Sequence, residues 1–203
     1  MTSFLTTGGI RGGKSSGTAR VTGVFHPRSF NMGFSKKVFE KTGGFSTMRF
    51  GEDLDFSMRA IEAGFKSGLI NEAFVYHKRR TDFRKFFKQV HNSGIARINL
   101  YKRHPKTLKA VHFLPALFVI YLIFSLLTFI LGSTQFLILL IIYFLIIIVD
   151  AWLKYKSLNV AVLSAVASFV QHVGYGTGFL KAFWKRIVLG QDEFHSYGKN
   201  FYK

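Results

Sequence analysis

Cysteine does not occur in this chain of 203 residues, so disulfides and thiolate metal sites are excluded and a reducing compartment is permitted. Acids are scarce. Ten Asp and Glu stand against 28 Lys and Arg, a formal net charge of +18. The scarcity is uneven, because Met1 to Ala110 hold 7 acids and 21 basic residues and the remainder only 3 and 7. Charge of either sign is missing altogether between Lys109 and Asp150, over 40 consecutive residues. A secretory start is also missing, since Met1 to Ile10 offers neither a basic beginning nor a long apolar core.

The charge-free stretch fits a bilayer. One crossing takes roughly 20 apolar residues, so two fit, at Val111–Leu131 and Phe136–Leu153, joined by a polar turn from Gly132 to Gln135. A third uncharged stretch, Leu158–Leu180, carries Asn159, Gln171, His172 and three glycines, and both a spanning and a re-entrant reading stay open for it. Lys154 and Lys156 follow the second segment, and with the basic front half they put both on the cytoplasmic side by the positive-inside rule. The expected organisation is a soluble front over 1–81, of which 1–24 is a flexible Gly/Lys loop region, then a basic interfacial helix over 82–110. A membrane region over 111–180 and a basic tail over 181–203 complete it.

Two stretches imitate a nucleoside-triphosphate site. "GGIRGGKS", residues 8–15, has the letters of a Walker A loop, and "FLIIIVD", residues 144–150, those of a Walker B strand. A Walker A loop needs a buried strand leading in and a helix leading out at its Lys-Ser pair. Here only "MTSFLTT" precedes the glycines, and "SSGTARVTG" follows Lys14 with glycines and β-branched residues unsuited to a helix. Asp150 ends an apolar run too long for a strand and reads as a membrane-boundary residue.

In the soluble front, Arg20–Phe25, Ser29–Gly33, Lys66–Ile70 and Ala73–His77 read as short strands. Ser35 is a natural N-cap for a brief helix, Lys36–Lys41, stopped by Gly43 and Gly44. "RFGEDLDFSMRAIEAGFKSG" then places Leu54, Met58 and Ile61 at helical spacing, with Glu52, Asp53 and Asp55 in the first turn and Gly64 past the end. Carboxylates at a helix start offset its dipole, which is reason enough for them. Yet three of the front's seven acids fall within four positions beside Gly51, and a carboxylate held in a basic, partly desolvated pocket can act as a general base or face a metal. From Lys78 to Lys109 there are eleven basic residues and one acid. Phe83, Phe86, Phe87 and Val90 fall on one helical face there, and Arg84, Lys85 and Lys88 on another. Such a helix suits a membrane surface, and its charge needs no nucleic acid to explain it.

The order of "SFNMGFSKKVFEKTGGFS", "FGEDLDFSMRAIEAGFK", "AFVYHKRR", a basic helix and apolar segments resembles the C-terminal half of a family 2 glycosyltransferase. The resemblance covers about Phe25–Lys109 in motif detail and the apolar segments in layout. It implies an α/β fold, a partial GT-A domain followed by two or three transmembrane helices, in an inverting enzyme of bacterial surface polysaccharide synthesis at the cytoplasmic membrane. It implies Asp53 as catalytic base with Glu52 beside it, and Gly43, Gly44 and Phe45 as the acceptor-side turn. His77 matches a position near a divalent metal, manganese or magnesium, and Arg79 or Arg80 would neutralise the leaving diphosphate. "GGIRGGKS" falls where a mobile loop could close over donor and acceptor, with Arg11 and Lys14 touching a diphosphate or a lipid-linked phosphate.

The implied partners are a nucleotide-sugar donor, a glycan or lipid-linked acceptor and membrane lipid. The family's donor half with its Asp-x-Asp metal motif is expected from a missing N-terminal piece, since "DLD" at Asp53–Asp55 lies in the base segment. The Gln-x-x-Arg-Trp signature of processive members is not intact, because Gln89 is followed by His91, Asn92 and Ser93. Two rivals predict different behaviour. A P-loop NTPase would lose triphosphate hydrolysis with Lys14, and a non-enzymatic basic membrane protein would bind anionic lipid or polymer regardless of Asp53.

Overall fold

The computed structural model describes residues 26–27, 29–68, 70, 75–76 and 82–197. These belong to two compact units, the first within Arg11–Arg79 and the second from Arg80 onward.

The first unit contains two helices, α1 (Lys36–Thr42) and α2 (Glu52–Glu62). The Ser35 side chain accepts from the Val38 amide at the start of α1, and the chain leaves it through Gly43, at φ 73°. Gly51 opens α2 at φ 85°. Both turns lie in the left-handed region, where a side chain would be strained, so the glycines fix the two helix boundaries read from the sequence.

The sheet expected from the resemblance is not found among the described residues, where every regular element is helical. Ser29–Gly33 starts as a 3-10 turn, Ser29–Asn31, and continues as irregular chain. Lys66–Ile70 is irregular wherever it is described, while Arg20–Phe25 and most of Ala73–His77 lie outside the described residues. A strand exists only through its ladder, and no described neighbour offers these segments a row of N–H and C=O groups. Asn31, Gly33, Ser67 and Gly68 are in addition poor strand formers. The α/β, partial GT-A expectation is therefore corrected to an all-helical arrangement in the described residues.

The second unit contains α3 (Phe83–Arg103), α4 (Leu114–Ile130), α5 (Gln135–Tyr155) and α6 (Leu158–Ala182), which widens into a π-helical turn at Phe183–Val188. The Asp82 carboxylate caps α3 by accepting from the Lys85 amide, a bond that also holds its pKa below the usual aspartate value. Ala110–Ile130, Gln135–Tyr155 and Leu158–Val188 are each long and apolar enough to cross a membrane. Leu117, Ile120, Ile123, Leu139, Ile142 and Leu145 remain about half exposed on α4 and α5. A patch of this size would promote association in water and is at ease in hydrocarbon.

Within 82–110, where the sequence predicts a basic interfacial helix, α3 runs over Phe83–Arg103 and packs inside the second unit. It packs lengthwise on α6, and its Ile95 and Ile98 join Ala116, Phe179 and Ala182 in the core. Glycine makes the approach. A Cβ at Gly94 would lie 2.8 Å from the Phe179 amide, and one at Gly178 would run into the His91 carbonyl. The glycines that weakened α6 as a membrane segment are thus its contact surface for neighbouring helices. Asn92, Asn99 and Arg103 line one stripe of α3 and hold the chain beyond α6. Asn92 accepts from the Ser196 amide at 2.8 Å, Asn99 donates to the Phe194 carbonyl at 3.0 Å, and Arg103 pairs with Glu193 at 2.8 Å.

His91 is buried beside this strap, with Nδ1 3.2 Å from the Thr177 hydroxyl, its ring against Phe87 and Tyr197, and Lys181 nearby. Burial, and secondarily Lys181, holds its pKa below 6.5, so the native state favours the neutral ring. As pH falls below about 6.5 the unfolded chain takes up the proton first, and stability declines until the native ring is protonated as well. The thermal unfolding midpoint of the detergent-solubilised protein is expected to fall through this window, and less steeply in His91→Gln. Equal slopes would remove His91 as the cause.

Candidate active site

The acidic start of α2 and the turn after α1 are brought together by one arginine. Arg59, one helical turn past Asp55, meets its carboxylate with Nε and Nη2, each 3.0 Å from Oδ2. The same guanidinium donates to the Gly44 carbonyl at 2.7 Å and to the Thr42 carbonyl. Asp55 is 1% exposed, so the ion pair sits in a poorly solvated place where a fork of donors is the arrangement that compensates the charge. The consequence is positional: Gly43, Gly44 and Phe45 are tied to the helix that carries Glu52 and Asp53.

Phenylalanines reinforce the tie. Phe45 and Phe34 each pack with ring centroids 4.8 Å from Phe56, which is itself buried. Gly44 has two structural reasons to be glycine, a φ of 73° and the Phe39 ring, which would stand 2.6 Å from an added Cβ. Gly43 has open space around its Cα at a φ of 73°. An adjoining cavity of about 670 Å³ is lined mainly by apolar side chains such as Phe30, Phe34, Val38, Phe56 and Ile61. Neither Glu52 nor Asp53 lines it.

The carboxylates of α2 therefore divide. Asp55 is committed to Arg59. Asp53, 7% exposed, sits on the first turn, where its Oδ1 accepts from the Leu54 amide at 2.8 Å and its backbone carbonyl accepts from the Ser57 hydroxyl at 2.8 Å. An anionic side chain there is stabilised by the free amides of the helix start. It is also held in one orientation, as a proton acceptor must be. Glu52 precedes it and is partly exposed.

Of the residues singled out in the sequence, Gly43, Gly44, Phe45, Glu52 and Asp53 are thus joined in one unit. Arg11, Lys14, His77, Arg79 and Arg80 lie outside the described residues. Among the described residues no three His, Asp or Glu side chains gather in a way that could hold a metal ion, and His77, the expected ligand, lies outside them. Arg59 was missed in the sequence, although Asp55 and Arg59 stand four apart in the order that favours a helical ion pair. Arg59→Met is expected to lower unfolding stability by about 3 kcal/mol, because it strands a buried carboxylate. A thermal or denaturant midpoint unchanged from the parent would show that the clamp is dispensable.

A family model described as Glycosyl transferase family group 2 matches residues 16–154, a stretch that takes in α1 to α4 and nearly all of α5. No curated protein and no solved structure matches the chain.

Proposed function

We propose, from the premise that the chain belongs to glycosyl transferase family group 2, that it moves a sugar from a nucleotide-sugar donor to a glycan or lipid-linked acceptor at the cytoplasmic face of a bacterial inner membrane, in surface polysaccharide synthesis. The family match supports sugar transfer. Three helices of membrane-spanning length support the setting. The observation that carries the residue assignment is that Asp55 is bound by Arg59 while the Asp53 carboxylate is held in one orientation on the helix start.

In this reading Asp53 takes the proton of the acceptor hydroxyl as that oxygen attacks the anomeric carbon. The bond from that carbon to the diphosphate oxygen breaks on the opposite face, the nucleoside diphosphate leaves with the electron pair, and the configuration inverts. Glu52 orients the acceptor or the base. Gly43, Gly44 and Phe45 form the acceptor-side edge, where an aromatic ring offers a sugar's apolar face a surface to lie on. Arg11, Lys14, Arg79 and Arg80 oppose the diphosphate charge. His77 would be a ligand of a divalent ion, manganese or magnesium, which would offset the charge of the diphosphate.

The test uses membranes from cells that lack the gene and are complemented with the intact gene, supplied with labelled nucleotide sugars. Label is expected to enter an extractable lipid or a polymer, and an α-linked donor is expected to yield a β-linked product by NMR. Retention of the donor's configuration would remove the single-displacement mechanism and the base role of Asp53 with it.

A further inference from the structure

Where α3, the entry to α4 and α6 converge, Arg97, His112 and Tyr175 come together without an acid. The Arg97 guanidinium lies near enough to the Tyr175 hydroxyl and the His112 ring for its charge to bear on both. Even so, Arg97 Nε and the Tyr175 hydroxyl are buried and neither completes a hydrogen bond. Nine of the chain's ten acids, all but Glu72, are among the described residues. The ion pairs there, Lys36–Glu40, Arg59–Asp55 and Arg103–Glu193, leave Arg97 out. His112 is 6% exposed and its Nδ1 accepts from the Lys109 amide at 3.0 Å, which leaves Nε2 as the N–H donor. Three kinds of donor thus gather at one place, one of them cationic, and leaving the buried Arg97 Nε and Tyr175 hydroxyl without acceptors is costly.

The convergence is built in. Gly94, one turn before Arg97 on α3, lies against the Tyr175 carbonyl, and Gly176, next to Tyr175, admits α4 at Pro115. The Tyr175 ring is fixed by stacking on Phe179 and by the core around Ile95 and Ile98. Position along the sequence adds a second clue. Lys109 is the last charge before the uncharged run, His112 follows three residues later, and α4 begins at Leu114 with half-exposed Leu117 and Ile120 below it.

We infer that Arg97, Tyr175 and His112 form a site for the phosphate head group of a membrane lipid. A phosphate supplies several acceptor oxygens and negative charge to a guanidinium fork, a phenol and an imidazole N–H. The exposed apolar residues of α4 take the lipid's tail, which a free phosphate lacks. The inference stands on binding alone and is independent of the chemistry at Asp53.

The test is binding of radiolabelled hexadecyl phosphate to the full chain purified in neutral detergent, with no sugar donor present. Saturable binding is expected, with inorganic phosphate a much weaker competitor. Arg97→Gln is expected to weaken it by about tenfold or more, and Tyr175→Phe, which removes one hydroxyl only, by severalfold. Thermal unfolding separates a binding role from a structural one. Without lipid, Arg97→Met is expected to melt at or above the parent temperature, since an uncompensated cation is gone, and to lose the upward shift that hexadecyl phosphate gives the parent. No saturable binding, unchanged binding in Arg97→Gln and Tyr175→Phe, or an Arg97→Met protein that melts lower without lipid would each overturn the site. Equal affinity for inorganic phosphate would overturn the lipid as its occupant.

Discussion

Asp53→Asn is expected to lower sugar transfer by about 10²–10⁴-fold, the range that a positioned general base contributes. The substitution removes the basicity and the negative charge and keeps the shape. An amide oxygen can still accept from the Leu54 amide, which Asp53 Oδ1 now does at 2.8 Å, and the side-chain volume is nearly unchanged. The helix start loses one negative charge, worth about 0.3–1 kcal/mol, so the unfolding midpoint should move only slightly. Glu52→Gln is expected to cost less, since Glu52 orients and does not take the proton. Label transfer from nucleotide sugar in complemented membranes checks both, and an Asp53→Asn protein as active as the parent would end the assignment.

Gly178→Ala is expected to destabilise the second unit even though alanine is the better helix former. The propensity gain is about 1 kcal/mol. Against it stands the His91 carbonyl, into which the new Cβ would run. A backbone carbonyl cannot turn aside like a rotamer, so α3 and α6 must separate, and overpacking of this kind costs about 1–3 kcal/mol. Separation also spoils the register in which Asn92 and Asn99 of α3 hold Ser196 and Phe194. Gly174→Ala makes the comparison, because its nearest neighbour is the movable side chain of Val90, and it should cost less. Thermal unfolding in detergent should rank parent, Gly174→Ala and Gly178→Ala in falling order. Gly178→Ala at or above the parent would mean that the close approach is not needed.

Helix existence was legible where the signal was local. Ser35, Gly43 and Gly64 punctuate α1 and α2 as expected, and the apolar runs became α4 and α5 with ends within a few residues of those read from the sequence. The acceptor-side turn and the acidic helix start were legible as motifs, and the clamp that joins them was not. Arg59 holds Thr42 and Gly44 from 17 and 15 residues away, a separation at which no periodicity reports. The strands expected at Ser29–Gly33 and Lys66–Ile70 failed for the opposite reason, since extended segments of four or five residues are defined by partners that the local sequence does not contain. For α3 the period of Phe83, Phe86, Phe87 and Val90 revealed one apolar face. It could not reveal that the helix meets α6 or that the three glycines of "GYGTG" receive neighbouring helices, because small residues carry no hydrophobic signal.

The division of labour between two aspartates two residues apart is tested directly by one paired measurement. Asp53→Asn and Asp55→Asn are made in the same chain, and each is assayed for sugar transfer in membranes and for its unfolding midpoint in detergent. Asp53→Asn should lose transfer and keep its midpoint. Asp55→Asn should lose about 2 kcal/mol of stability as its charged bond to Arg59 weakens, and should retain transfer wherever it remains folded. The reverse pattern, with transfer abolished in folded Asp55→Asn and intact in Asp53→Asn, would contradict the account.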